Sequence, residues 1–312
     1  MTTVAVVIPC YNVQAHVEVA VRSVFAQTHA DLDIVAVDDG STDGTRAILQ
    51  RLVTESSGRL RVISQANAGA CAARNAGVAA TRGEWIQFLD ADDELLPDKI
   101  ERQIGLAPEG SQLVIGGYRN HYTDGRSTTT VLPLIGDPWE ALVRTRMGTT
   151  SANLFRRASL LSAGGWDKSL RSSQDYDLLF RMLKKGASPV WDDGICCEVL
   201  KRSKGSISRT DERANWLRYL DLRLAMRDHL RVFDPDGQAG NIAIADQHLF
   251  MAIRVLSKHD RQAAFDAFDR MLPRGFVPEL NRATTRTYLS AFRWLGFRAA
   301  ERMSNFISGL SK

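Results

Sequence analysis

The sequence predicts an α/β fold, a mostly parallel sheet flanked by helices with a helical C-terminal region, and three observations carry that expectation. Short apolar, β-branched runs alternate with helix-period segments from Val4 to Leu89, the pattern of strands joined by crossover helices. The turns after these runs are polar and place Tyr11, Asp38, Asp39 and Asp90 at strand ends, where open parallel sheets gather their ligands. Beyond Arg209 the alternation gives way to helical periods alone.

Val4 to Ile8 is a continuous β-branched run that Pro9 is expected to halt, and Gln14 to Gln27 then sets Val17, Val21, Val24 and Phe25 at helical spacing. Leu32 to Val37 reads as a second strand, and Ile48, Leu49 and Leu52 mark a second helix. A third strand over Leu60 to Ile63 leads through Gln65–Gly77 into a helix of small residues. Trp85, Ile86, Phe88 and Leu89 have the size and branching of a buried strand, which ends in Asp90, Asp92 and Asp93, while Pro97 suits the first turn of the next helix. After Ile100 the alternation loosens. Gln112 to Leu134 reads as two antiparallel strands around Thr123-Asp124-Gly125, and Ser172 to Met182 as an amphipathic helix with Asp175 at its start. Helices are then expected over Asp211–Leu230, Asn241–Lys258 and Asp260–Leu272, and from about Asn281.

Composition excludes more than it selects. The 312 residues are 44% hydrophobic and 24% charged, ordinary for a globular protein of about two domains. A net charge of +4 favours anionic partners, but without Lys/Arg blocks it does not suggest nucleic acid. Cys10, Cys71, Cys196 and Cys197 match neither a disulfide framework nor zinc spacing and are read as reduced. The start of the chain lacks a positive leader region and no apolar run reaches a membrane span, so a cytosolic location, with contact at a membrane surface left open, is expected. The glycine patterns of dinucleotide-binding and P-loop folds and the serine elbow of α/β hydrolases do not occur.

The acidic turn carries the strongest chemical suggestion. Carboxylates this close repel unless a cation or a cationic side chain sits among them, and Asp90 and Asp92, two apart, can converge on one divalent ion. Mg²⁺ needs only one or two protein carboxylates and completes its shell with water and phosphate oxygens, which implies a phosphorylated ligand. The alternative is a solvated acidic turn leading into the helix at Pro97. Asp39 can accept a hydrogen bond from a base imide and Tyr11 can stack on a base, together suiting uracil or thymine, although Asp38 to Asp43 also read as a turn and helix cap. Arg74 begins a helix where it can brace a diphosphate, pair with Asp39 or Asp90, or simply face solvent.

Five blocks, VAVVIPCYN, VDDGSTDGT, NAGACAARNAG, FLDADD and GGWDKSLRSSQDYDLLFRM, occur in this order. The set resembles the inverting family 2 glycosyltransferases with the GT-A fold, over roughly residues 1–208. The resemblance implies a catalytic domain over 1–208, its first 110 residues binding a nucleotide sugar and residues 111–208 facing the acceptor, followed by a helical region over 209–312. It implies that Pro9, Tyr11, Asp39, Asn67, Arg74 and Asp90 meet the nucleotide-sugar donor, expected to be a UDP-sugar, and that Asp90 and Asp92 hold Mn²⁺ or Mg²⁺. Asp175 falls where the family has its general base, with the alternative that it is a helix cap. His121 and Trp166 are candidates for the acceptor pocket or for packed structure. The acceptor is expected to be a saccharide or a lipid-linked saccharide.

Two positions depart from the family pattern. Gln174 stands where a Glu precedes the base, and Ser203 where a His often stands, with Lys201, Arg202 and Lys204 able to neutralise phosphate instead. These departures keep a second class open, a transferase-like module that binds a nucleotide sugar without turning it over. A nucleotidyltransferase is disfavoured because the glycine-rich basic first loop is missing.

The final helix shows Tyr288, Phe292, Leu295, Ala299, Met303, Phe306 and Leu310 at three- or four-residue spacing, with Arg286, Arg293, Arg298 and Arg302 among the intervening positions. Such a stripe either packs, on the catalytic domain or a second subunit as a homo-oligomer, or lies on an anionic membrane surface. Burial is the observation that separates the two.

Overall fold

A computed structural model describes residues 2–202 and 211–310, with the side chains of 305–310 left out. The chain divides into two compact units, Met1–Ile207 and Ser208–Lys312.

The first unit is a mixed α/β structure whose sheet grows outward from β1 (Val4–Cys10). The chain runs through α1 (Val17–Phe25) to β2 (Leu32–Asp38), and through α2 (Thr45–Glu55) to β3 (Leu60–Ser64). It then returns by α3 (Ala70–Ala79) to β4 (Trp85–Phe88), which lies on the opposite side of β1, so the parallel order is β3-β2-β1-β4. The reversal between β1 and β4 opens a crevice at their carboxyl ends. Helix α3 sits close against the sheet because Gly77 lacks a side chain; a Cβ there would come 2.3 Å from Val7 Cγ1.

Pro9 does not halt β1, which runs on to Cys10. The reason is the register: β4 pairs only as far as Val7↔Phe88, and Leu89 N–H donates to Val7 O at 3.0 Å. Two residues later on the same side no strand is left to receive an N–H from Pro9, so its missing donor costs no ladder bond. Pro97 likewise does not open a helix. A two-residue strand, β5 (Glu94–Leu95), intervenes, and α4 spans Lys99–Leu106.

The expected hairpin forms between β6 (Leu113–Tyr122) and β7 (Thr129–Val131), with Tyr118 opposite Val131. After α5 (Pro138–Val143), β8 (Leu154–Arg156) pairs antiparallel with both β4 and β6 and joins the two parts of the sheet. Next come α6 (Arg157–Ser162), α7 (Gln174–Lys184) and β9 (Pro189–Lys201). The last of these runs parallel to β6 and antiparallel to β5, completing the order β3-β2-β1-β4-β8-β6-β9-β5.

The second unit contains α8 (Glu212–Phe233), α9 (Ala239–Leu256), α10 (Arg261–Met271) and α11 (Arg286–Leu310). Its core is aromatic: Phe250 touches Phe268, Phe292 and Phe297, and Phe268 stacks on Phe297 at 4.3 Å between centroids. The single stripe expected along α11 is not what packs. Gly296 is non-helical, with φ 77° and ψ 173°, a conformation open to glycine, and the helical phase restarts after it. Tyr288 and Phe292 are buried before the break, but Phe297 and Ala300 take over behind it while Leu295 and Met303 are exposed. Among the described residues no helix is long and apolar enough to cross a membrane.

Candidate active site

The acidic turn after β4 is built on a serine that the sequence did not single out. Ser151 Oγ donates to Asp93 Oδ2 at 2.7 Å and accepts from Asp90 N–H at 3.2 Å. Gln87 Nε2, buried in β4, donates to Ser151 O at 2.9 Å. Leu200 N–H at the far end of β9 donates to Asp93 Oδ1 at 3.2 Å. Asp93 is therefore the internal post of the turn, and burial, followed by repulsion from Asp90 and Asp92, holds its carboxyl well above the ordinary range. Ser151 lies in an unremarkable polar stretch, so only its fold position exposes its role.

Asp90 and Asp92 remain for ligands, and each faces a guanidinium. Arg74 Nη2 donates to Asp90 Oδ1 at 2.6 Å, and Arg202 pairs with Asp92 Oδ2 at 2.8 Å. Burial raises the Asp92 carboxyl, Asp90 adds to the rise, and Arg202 offsets part of it. The turn thus carries more negative charge than its surroundings comfortably hold, which fits a divalent cation. Among the described residues no three His, Cys, Asp or Glu side chains are gathered to cage a metal, so an ion here would complete its shell with water and substrate oxygens.

Arg74 is the hub of the site. Gly69, at φ 90° and ψ 163°, turns the chain into α3, and one turn later Arg74 is buried. Its Nη1 donates to Gln174 Oε1 at 3.0 Å, and its guanidinium lies 4.5 Å from the centroid of the Trp166 ring. Of the two carboxylates open to it from sequence, it takes Asp90. Trp166 is 2% exposed and packs edge-on against Phe88. Of the two readings open to it from sequence, its burial beneath Arg74 supports packed structure.

Asp175 reaches the same place from α7. Ser173, at φ 59°, occupies the left-handed region just before the helix, a strained setting for a residue with a side chain. Asp175 is thus in the first turn and not the cap, and its Oδ1 accepts from Tyr176 N–H at 2.9 Å. Burial raises its carboxyl above the ordinary range; Arg74 opposes the rise and Asp90 adds to it. Tyr118, on β6, is pushed up to about 12 by burial and by Asp175. Residues 74, 90 and 175, far apart in sequence, therefore share one electrostatic neighbourhood.

The departure at Gln174 has a structural job. Its Nε2 donates to Leu170 O at 2.9 Å while its Oε1 accepts from Arg74, so a neutral amide bridges a carbonyl and a guanidinium. A carboxylate at 174 would lose the first bond and add a negative charge beside Asp175. If Asp175 is the base, Gln174→Glu is expected to move the acidic limb of the pH–rate profile upward by up to about one pH unit, because a like charge raises the pKa of its carboxyl. A profile identical to that of the unmodified chain would contradict this coupling.

Just after β2, Asp39 is not a free acceptor. Its Oδ1 accepts from Gln65 Nε2 at 2.7 Å and Ala68 N–H at 2.9 Å, and its Oδ2 from Gly69 N–H at 2.8 Å. The buried carboxylate clamps the loop into α3, because three donors of that loop converge on it, so an imide must use a lone pair beyond those. Gly40 lets this loop approach: a Cβ on it would come 2.9 Å from the amide nitrogen of Asn67. Tyr11 is half exposed after β1, Pro9 lies within that strand and Asn67 is exposed. Asn12 Oδ1 accepts from Thr42 N–H at 2.8 Å, tying the first two strand-end loops together.

His121 lies near the end of β6. Its Nε2 bonds Glu198 Oε2 at 2.6 Å, and Glu198 also pairs with Arg119 at 2.9 Å, a network across β6 and β9. Among the described residues no hydrogen bond or ion pair joins His121 to Arg74, Asp90 or Asp175. Ser203 and Lys204 lie outside the described residues.

The model of "Glycosyl transferase family 2" matches residues 5–161, half of the chain. An uncharacterized glycosyltransferase of Nostoc sp. is 46% identical over 99 residues, 32% of this chain and 31% of the relative. The chondroitin synthase of Escherichia coli is 31% identical over 189 residues, 59% of this chain and 27% of the relative. The matches thus span about a third or less of those proteins. Among solved structures, S. aureus TarS 1-349 in complex with UDP-GlcNAc aligns with a TM-score of 0.59 at 14% identity, covering 99% of this chain and 92% of that one. The mannosyltransferase PcManGT from Pyrobaculum calidifontis, in complex with GDP-Man and Mn²⁺, aligns at 0.58 and 17%, covering 99% and 87%. At such identities the likeness shows the fold, a GT-A-type transferase architecture.

Proposed function

The chain belongs to glycosyl transferase family 2, and on that premise we propose that it is an inverting, divalent-cation-assisted enzyme transferring a sugar from a UDP-linked donor to a hydroxyl of a saccharide or lipid-linked saccharide. The observation that carries the proposal is the meeting of Arg74, Asp90 and Asp175, drawn from α3, the β4 turn and α7.

Asp175 takes the proton of the acceptor hydroxyl as its oxygen bonds the anomeric carbon and the bond from that carbon to the nucleotide diphosphate breaks, which inverts the centre. Burial raises its pKa, which makes the carboxylate a stronger base for that proton. Asp90 and Asp92 would hold Mn²⁺ or Mg²⁺, whose charge stabilises the departing diphosphate. Arg74, fixed by Gln174 and Trp166, sets the position of Asp90 and adds positive charge on the phosphate side. Tyr11 stacks on the base, and Pro9, Asp39 and Asn67 shape the nucleotide pocket. That one fold neighbour was captured with UDP-GlcNAc and another with GDP-Man and Mn²⁺ supports a nucleotide-sugar donor and a metal. It leaves UDP a choice resting on Asp39 and Tyr11.

The test incubates the chain with UDP- and GDP-sugars and a panel of saccharide acceptors, with Mn²⁺ or with EDTA, and follows nucleotide release and the anomeric configuration of the product. Metal-dependent release from a UDP-sugar with inversion is expected. A retained configuration overturns the mechanism, and ligand-induced thermal stabilisation without any release identifies the binding module instead.

A further inference from the structure

The exposed surface of α11 is unlike that of the rest of the second unit. Just before the break at Gly296, Trp294 is 86% and Leu295 60% exposed, and Met303 beyond it is 45% exposed. Large apolar side chains are usually at least half covered, and an indole almost wholly in water is the informative kind of exception. Charge around them is one-sided. Between Asn281 and Ser304 the chain carries five arginines, 282, 286, 293, 298 and 302, and one acid, Glu301. Every one of those arginines is exposed. Glu301 is buried and spent internally on Arg254, Tyr288 and Ser257. Arg298 is paired with Asp269 at 2.7 Å; the other four have no ion pair among the described residues.

We propose that this surface docks the protein on an anionic lipid bilayer, with Trp294 and Leu295 entering the headgroup boundary and Arg286, Arg293 and Arg302 meeting lipid phosphates. The attachment uses the residues left outside by the Gly296 break, not the stripe that packs in the core. Both halves of the surface are satisfied at once by a bilayer, which offers phosphate at its face and hydrocarbon beneath. A symmetric contact with a second copy would bring two surfaces of the same positive charge together, and a polyanion alone would leave Leu295 and Met303 in water. Attachment through these exposed side chains is peripheral in kind and salt-sensitive.

The test is co-sedimentation of the full chain with vesicles of phosphatidylglycerol and phosphatidylcholine against vesicles of phosphatidylcholine alone. Two variants are compared with the unmodified chain: Trp294→Ser with Leu295→Ser, and Arg293→Gln with Arg302→Gln. All four side chains are solvent-exposed, and a thermal melt by circular dichroism verifies that each variant folds. The unmodified chain is expected to sediment with the anionic vesicles at low salt and to be released at high salt. The apolar pair should weaken binding by about tenfold or more, and the arginine pair should remove the preference for anionic lipid. No sedimentation at low salt, or binding by both variants equal to that of the unmodified chain, overturns the proposal. So does a dimer in solution that the apolar pair dissociates, which would give the surface to a second copy. Failure at the vesicle leaves the transfer chemistry untouched.

Discussion

Asp175→Asn is expected to lower sugar transfer by on the order of 10²–10⁴-fold while leaving UDP binding within about twofold of the unmodified chain. The substitution is nearly isosteric, and its side-chain oxygen can still accept from Tyr176 N–H, so α7 keeps its first turn. What disappears is the ability to take a proton. Nucleotide affinity should hold because the base acts on the acceptor oxygen and not on the donor. In the unmodified enzyme the same group should govern the acidic limb: burial raises its pKa, and activity falls as pH drops through that raised value because the protonated carboxyl is no base. Turnover by discontinuous UDP release, together with titration calorimetry of UDP in Mn²⁺, checks both halves. A variant that keeps turning over would remove Asp175 from the mechanism.

Asp92→Ala should do the converse and act on the donor. Mn²⁺ affinity, read by electron paramagnetic resonance, is expected to fall by about tenfold or more, and the metal-dependent part of UDP affinity should fall with it, since the carboxylate reaches the diphosphate only through the cation. Arg202 gives this prediction a second arm. In the free chain its guanidinium occupies Asp92 at 2.8 Å, so a cation has to compete with it. Arg202→Ala should therefore tighten Mn²⁺ binding by several-fold, about 3- to 10-fold, and at the same time leave less positive charge near the phosphates. Equal UDP binding by Asp92→Ala and the unmodified chain in Mn²⁺ would return the turn to a structural role.

Much of this molecule was legible because its information is local. Each run from Val4–Ile8 to Trp85–Leu89 states its own strand by apolar continuity, and each polar turn states where a strand end lies. Five ordered blocks carried the family. The carboxylates were legible as chemistry because three of them within four residues, Asp90, Asp92 and Asp93, demand a counter-charge wherever they fold.

What the chain could not state by itself is which partner answers each demand. Pairing β6 with β9 and inserting β8 between β4 and β6 depend on contacts between distant segments, so no short window encodes them. Arg74 chose Asp90 and Gln174, Asp39 turned to the amides of its neighbouring loop, and Trp166 went beneath a guanidinium, each decided by packing rather than by residue type. Along α11 the sequence determined amphipathicity, but one positive φ at Gly296 shifted its phase. Which aromatic residues face the core and which face solvent there was therefore settled only in three dimensions, because helical periodicity holds no further than the helix that produces it.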